Sequence, residues 1–166
     1  MQIINYFLAS IISYLGIALG MTLAYIAPEE QKPGKKYFAI LKYVFFISIL
    51  AFLLSFYYKN IFLVLFATAS FIVFLLLNKE LKIKSLKKID KITDITESLI
   101  IYTILAIIFY LSYKNTNLFI IEASLIFLYG ASNASLLLNM KKKNYPEILL
   151  KHILFVTAAM ALFFLF

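Results

Sequence analysis

Long runs of apolar residues constrain this chain more than any other feature of its sequence. Between Tyr43 and Phe56 only Ser48 and Ser55 interrupt the apolar residues. A water-soluble globule would expose such runs and aggregate through them. Over the whole chain 64% of the residues are hydrophobic and 14% are charged, whereas soluble domains average about 45–50% and about 25%. The sequence therefore predicts an integral membrane protein whose solvent is the lipid bilayer.

Six apolar stretches remain when the chain is divided at its charged and turn-forming residues. They cover about residues 3–26, 37–57, 61–77, 98–113, 118–138 and 149–166. Because a helix rises about 1.5 Å per residue, a hydrocarbon core of about 30 Å needs about 20 residues, with a lower bound near 17. The sequence predicts an all-α, polytopic membrane protein in which residues 1–166 form a single transmembrane domain of six helices.

Several residues predict where these helices begin. Pro33-Gly34 predicts a turn before the second helix. Asp94 and Glu97 have the spacing of a capping box that starts the fourth helix, and Asn144 and Glu147 have the same spacing before the sixth. Both glutamates thus have a structural role available to them.

Lysine counts alternate from loop to loop and predict the orientation. Three lysines lie in residues 27–36, one in 58–60, six in 78–97, one in 114–117 and three in 139–148. Cytoplasmic loops of membrane proteins collect Lys and Arg. The first, third and fifth loops are therefore predicted to lie on the cytoplasmic side of the cell membrane. Both termini are predicted to lie on its outer side.

Two short segments indicate an internal repeat. Tyr58-Lys59-Asn60 followed by Leu63 matches Tyr113-Lys114-Asn115 followed by Leu118. Such short loops make antiparallel neighbours of the helices that they join. The chain could thus consist of three tandem helical hairpins, although a sequence drawn from so few residue types also produces such matches by chance.

The cytoplasmic basic segment 78–97 alternates lysines with apolar residues at roughly three-residue spacing. As a short helix it would have one apolar stripe and would lie on the inner membrane surface. Its lysines would then attract anionic lipid headgroups by about 1 kcal/mol each. The alternative is a solvated loop whose lysines only set the topology.

Small and hydroxyl residues share one face of the first helix. Ser10, Ser13 and Gly20 lie near one line at about 100° per residue, and Gly16 precedes Gly20 by one turn. Lipid gives helices no hydrophobic reason to associate, so close approach at small residues supplies the contact instead. These residues, with Gly130 in the fifth stretch, are predicted to pack helices together.

The fifth stretch is the most polar and holds the best candidate site. Glu122, Tyr129 and Asn133 lie within about 20° of one line, with Ser132 to one side. An ionisable residue inside a span is a functional hypothesis by default. This face is either the lining of a groove or a packing seam. Glu122 lies near the outer interface, where it could reach water or Lys114. Asn133 could hydrogen-bond to a neighbouring helix.

Three further polar residues receive structural interpretations. Lys42 and Lys151 lie one to two turns inside predicted cytoplasmic helix ends, so their stems can extend to the inner surface without a partner. His152 is the only histidine, and we expect it at the level of the lipid headgroups.

Residue content argues against several classes of chemistry. There is no cysteine and only one histidine, so thiolate chemistry and multi-histidine metal ligation are ruled out. No Gly-x-Ser-x-Gly, His-Glu-x-x-His or Gly-Lys-Ser/Thr motif occurs. All sixteen basic residues are lysine, whereas nucleic-acid surfaces are rich in arginine as well. We therefore expect no enzyme, no metal, no cofactor and no nucleic-acid partner.

Two functional classes remain. In the first, the protein is a non-catalytic subunit, scaffold or assembly factor of a membrane complex, whose small-residue faces dock its own helices, partner membrane proteins or a second copy. In the second, it is a small transporter or channel whose first and fifth helices line a groove for a solute, ion or lipid. All three prolines lie in loops or at helix ends, so the broken helices of many transporters are not evident. The sequence favours the first class.

Overall fold

The fold is known from a computed structural model that describes residues 2–26, 31–78, 90–137, 149–150 and 152–165, with the backbone alone at 31, 32, 78, 90–97 and 137. Every regular element within these residues is an α-helix, so the all-α fold class is confirmed. The helices are α1 (Ile3–Ile26), α2 (Gln31–Tyr57), α3 (Ile61–Asn78), α4 (Asp90–Ser112), α5 (Thr116–Leu137) and α6 (Leu154–Leu165).

Three of these helices are long and apolar enough to cross a membrane. They are Ile3–Ile26, Pro33–Tyr57 and Thr116–Leu136, with mean hydropathies of 1.9, 2.3 and 1.4. The described apolar stretches of the other helices are shorter, namely Ile61–Leu77 in α3, Ser98–Ser112 in α4 and Leu154–Leu165 in α6. The described residues therefore contain three clear candidate spans and not six.

Two of the predicted helix starts are wrong. α2 begins at Gln31, so Pro33-Gly34 lies in its first turn and forms no separate turn before it. Proline is tolerated there because the first N–H groups of a helix have no intrahelical partner. α4 begins at Asp90, so the backbone at Asp94 and Glu97 is already helical and no capping box starts there.

The beginning of α4 also changes the interpretation of the basic segment. Residues 90–97 are continuous with α4, because no proline or glycine separates them from the apolar stretch. Residues 79–89 and the pair Asn144 and Glu147 lie outside the described residues. A surface helix was predicted over 78–97. Of this segment, the structure describes the backbone of residue 78, which ends α3, and of residues 90–97, which form the first two turns of α4.

Asparagine caps explain the similar segments at the two hairpins. Oδ1 of Asn60 accepts a hydrogen bond from the backbone N–H of Phe62 at 3.1 Å. Oδ1 of Asn115 accepts two, from Asn117 at 3.1 Å and from Leu118 at 3.2 Å. An asparagine before a helix satisfies N–H groups that otherwise have no partner. The two Tyr-Lys-Asn sequences thus share a capping function, which does not require an ancestral repeat.

The order of contacts along the helices fixes their relative directions. Ser13 lies against Ala123 and Gly20 against Ala131. The contacts advance along both helices together, so α1 and α5 run parallel. Three intervening helices, each reversing the direction of the one before it, produce this arrangement.

α6 runs in the opposite sense to α1. The hydroxyl of Tyr6 donates to the carbonyl of Ala159 at 3.1 Å, and that of Tyr14 donates to the carbonyl of Leu149 at 3.0 Å. Later residues of α1 thus contact earlier residues of the last segment. The N-terminal part of α1 and the C-terminal part of α6 therefore lie at the same end of the bundle.

Both hairpins lie at this end as well. The Tyr57 hydroxyl donates to the carbonyl of Leu111 at 3.1 Å, which joins the C-terminal ends of α2 and α4. The ring of Tyr6 lies 6.1 Å from that of Tyr113, centroid to centroid. We call the end that holds residues 58–60 and 113–115 the hairpin end.

The surface of α1 is more apolar than its interior face. Exposed Leu and Ile side chains follow one side of the helix, whereas small and hydroxyl residues are buried on the other. This exposed side includes Ile4, Leu8, Ile12, Leu15, Leu19 and Leu23. Water would favour the reverse distribution, and lipid favours this one.

Candidate functional site

The seam between α1 and α5 brings two glycines against backbone. A Cβ at Gly16 would overlap the carbonyl oxygen of Phe127, and a Cβ at Gly20 would overlap that of Ala131. From the opposite side, a Cβ at Gly130 would lie 3.3 Å from a side-chain carbon of Ile17. The two backbones approach this closely only because glycine has no side chain.

Hydroxyl groups cross the same seam. The Ser13 hydroxyl donates to the carbonyl of Ala123 at 3.0 Å. The Ser135 hydroxyl is shared between the carbonyl of Gly20 at 3.0 Å and that of Ala131 in its own helix at 2.9 Å. Ser10 is equally buried, but its hydroxyl donates to the carbonyl of Phe7 in its own helix. The small-residue face of α1 is therefore occupied by α5.

A second face of α5 is turned toward the other helices. The ring of Tyr129 lies 6.0 Å from that of Phe46 in α2 and 6.1 Å from that of Tyr102 in α4, centroid to centroid. Glu122 and Asn133 share this face by helical periodicity, and all three side chains are buried. Ser132 is buried to one side of the face. The polar residues predicted in the fifth stretch thus point into the bundle.

Asn133 joins three helical segments. Its amide nitrogen donates to the hydroxyl of Tyr102 and contacts Nε2 of His152, each at 3.3 Å. Because an amide nitrogen is only a donor, Nε2 of His152 accepts in this arrangement. The imidazole ring also meets the Tyr102 ring edge-on, with centroids 4.3 Å apart. We call Tyr102, Asn133 and His152 the inner polar cluster.

Glu122 is the most isolated polar residue described. Its side chain is 0% exposed, and neither carboxyl oxygen has a hydrogen-bond partner among the residues that the structure describes. It thus neither reaches water nor meets Lys114, as the sequence allowed. Burying an ionised carboxylate without a partner costs on the order of several kcal/mol, so this residue is expensive to keep unless it binds something.

Two other predictions for polar side chains are wrong. His152 is fully buried and belongs to the inner polar cluster, so it does not face the lipid headgroups. Lys42 is 8% exposed and does not extend along an open surface. Lys151 lies outside the described residues.

Neither Tyr102 nor Ser135 was singled out from the sequence. Tyr102 is one of twelve tyrosines, and nothing in its own stretch distinguishes it. Its role comes from the packing of α4 on α5. For Ser135 a signal existed, because it lies one turn after Ala131 in a stretch rich in small residues.

The described side chains form no recognisable metal centre. No three His, Cys, Asp or Glu residues among them gather closely enough to hold an ion. What the geometry defines is a helical bundle with three candidate spans, a tight α1–α5 seam and a buried polar face on α5. Comparisons with protein-family models, curated proteins and solved structures found no match to this chain.

Proposed function

We propose that this chain is a six-span membrane protein that passes a small ion or polar solute along the buried face of α5. Each helix crosses in the opposite direction to the one before it, with both termini outside. Three long apolar helices support the membrane location. The described apolar stretches of α3, α4 and α6 are shorter and complete the six spans with flanking Lys and Tyr residues at the interface.

The arrangement of the chain ends supports this topology. The two hairpins with one lysine each, the start of α1 and the end of α6 all lie at the hairpin end. The three described tyrosines that are exposed, Tyr25, Tyr37 and Tyr58, lie near helix ends, where aromatic rings anchor proteins at membrane interfaces. We place the hairpin end outside, because the lysine-rich loops belong at the opposite end.

Single cysteines test this topology. Lys59→Cys at the first hairpin should react with a membrane-impermeant thiol reagent added outside intact cells, and Ser85→Cys in the Lys-rich segment should react only after the cells are opened. The chain has no natural cysteine, so the background is clean. Reaction of both positions from the same side would overturn the topology.

The single observation that carries the functional proposal is Glu122. A scaffold gains nothing from an acid sealed inside its own bundle, whereas intramembrane acids mark ion and substrate pathways. Tyr129 and the inner polar cluster continue the same face of α5 toward the end of the bundle opposite the hairpins. A line of polar side chains thus runs along α5 through a core that is mostly apolar.

The packing of α1 weakens the case for a subunit or scaffold. That interpretation relied on small-residue faces that could dock a partner protein. Gly16, Gly20 and Ser13 are instead used within the chain, against α5. A stoichiometric second polypeptide that co-purifies in mild detergent would restore the subunit function.

Cysteine accessibility tests the path directly. Cysteine at Tyr129 or Asn133 probes the buried face, and cysteine at Ile120 or Leu128 probes the exposed side of the same helix. If the buried face exchanges with water during transport, the first pair will react with a small water-soluble thiol reagent and the lipid-facing second pair will not.

The other outcomes are equally clear. Reaction at Ile120 and Leu128 alone would mean that water and not lipid surrounds the bundle. No reaction at any of the four positions, in proteins that remain folded, would mean that the polar face is a sealed packing seam. Either result would overturn the proposed path.

A further inference from the structure

Glu122 is the only acidic residue within the six apolar stretches. All other acidic residues lie in the loops or at their edges. An acid at this depth has two ways to compensate its charge, a cationic side chain or a bound cation. Among the described residues no hydrogen-bond or ionic partner reaches its oxygens.

The surroundings of Glu122 offer little to a metal cation. The rings of Phe46 in α2 and Tyr129 in α5 lie 6.0 Å apart. Because α2 and α5 run in opposite directions, helical register puts Leu53, two turns after Phe46, at the level of Glu122, two turns before Tyr129. Almost one turn before Glu122 in α5, the ring of Phe119 packs against that of Phe109, with centroids 4.7 Å apart. Leu53, Phe109 and Phe119 are all buried and apolar.

One hydroxyl group close to Glu122 belongs to the α1–α5 seam. The hydroxyl of Ser13 donates to the carbonyl of Ala123, the residue next to Glu122. Hard metal cations require about six or more oxygen ligands, or water molecules in their place. No hydrogen-bonding group among the described residues reaches the two carboxyl oxygens of Glu122, so a metal cation held there would lack most of its oxygen ligands. A proton needs only one of those oxygens.

We infer that Glu122 is a proton-binding site and that the ion passing along α5 is a proton. The inference rests on the proposed path, and it names the chemistry of what moves there. In the closed bundle the carboxyl group is protonated and neutral, which is the form that an apolar core accepts. When the path opens to water, the proton leaves and the carboxylate is hydrated.

The spacing along α5 makes this transfer a gated one. Glu122 and Tyr129 are seven residues apart, which corresponds to about 10 Å along a helix, and this exceeds the length of a hydrogen bond. A proton therefore cannot pass from Glu122 to the inner polar cluster through direct contacts in the closed bundle. Water must enter, or the helices must shift, before His152 can accept it at Nε2.

A hydrophobic carbodiimide tests the site. N,N′-dicyclohexylcarbodiimide takes the proton of a carboxylic acid onto its nitrogen, and the carboxyl oxygen then bonds to its central carbon. The adduct rearranges to a stable acylurea that peptide mass analysis can locate. We expect modification of Glu122 in the detergent-purified protein, with a rate that falls as the pH is raised and that is unchanged by NaCl or KCl.

Two variants control the experiment. Glu122→Gln removes the acid at almost constant size and should lose the adduct at this position completely. Glu122→Asp keeps the acid and should still be modified. Both should elute from a sizing column like the parent, which distinguishes loss of the acid from loss of the fold.

Two results would overturn the inference in different ways. If NaCl or KCl slows the reaction, the site binds a metal cation and not a proton, although the path along α5 would stand. If folded wild-type protein is not modified at any pH, Glu122 is a structural residue. The path itself is judged independently by the reactivity of cysteine at 129 and 133.

Discussion

Replacing Gly20 by alanine should destabilise the protein through a backbone clash. The added Cβ would overlap the carbonyl oxygen of Ala131 and lie within 2.9 Å of the Ala131 Cα. Backbone atoms cannot rotate away, so α1 must move from α5, and overpacking of this kind costs up to about 3 kcal/mol. The better helix propensity of alanine offsets about 1 kcal/mol. The net loss is about 2 kcal/mol, which corresponds to about 4–8 °C in melting temperature for a chain of this size.

Gly34→Ala is the matched control. It is the same substitution in α2, but its Cβ would meet only a ring carbon of Phe38 at 3.4 Å, which is an ordinary contact. Its apparent melting temperature in mild detergent should equal that of the parent or exceed it slightly. Equal melting temperatures for Gly20→Ala and Gly34→Ala would refute the close approach of α1 and α5.

Three further substitutions should change the apparent melting temperature in the same assay. Tyr6→Phe removes one hydrogen bond and should cost about 0.6–1.7 kcal/mol. Tyr6→Ala also removes four ring contacts and should cost about 3–5 kcal/mol. A Phe variant as unstable as the Ala variant would contradict this expectation. Asn115→Ala removes the cap of α5 and should cost about 0.5–2 kcal/mol, with the exposed Asn117→Ala nearly neutral. Asn133→Ala removes contacts with two segments and should cost about 0.6–1.7 kcal/mol for each lost bond. Ser124→Ala, on the exposed side of α5, should destabilise the protein less. Equal effects of the two substitutions would argue against the inner polar cluster.

Helical periodicity predicted which residues share a face, because that depends on a single helix. Glu122, Tyr129 and Asn133 were placed on one line of the fifth stretch, and in the structure all three are buried. Ser13 and Gly20 were likewise placed on one face of the first helix, and that face lies against α5. The periodic pattern of a single helix was enough to predict each of these two faces.

The partners of these residues could not be predicted in the same way. Tyr102 and His152 meet Asn133 from other segments of the chain, and their proximity depends on how far each helix is shifted and rotated against its neighbours. A single sequence carries no measure of that shift. For the same reason His152 was expected at the headgroups, although it is buried.

Helix starts failed where a local signal competed with a longer helical segment. The spacing of Asp94 and Glu97 suits a capping box, but the residues from Asp90 onward continue the helix without a break. Pro33-Gly34 suits a turn, but the first turn of a helix accepts both residues. Such signals show where a helix can start and not where it must.

Proton flux into liposomes is the decisive measurement for proton transfer through Glu122. Purified protein is reconstituted with a pH-sensitive dye inside the vesicles, and a potassium diffusion potential, negative inside, drives protons inward. Wild-type protein should acidify the lumen faster than occurs in protein-free vesicles, and Glu122→Gln, inserted in equal amount, should abolish the difference. Acidification no faster than in protein-free vesicles, or equally fast with wild type and Glu122→Gln, would contradict it.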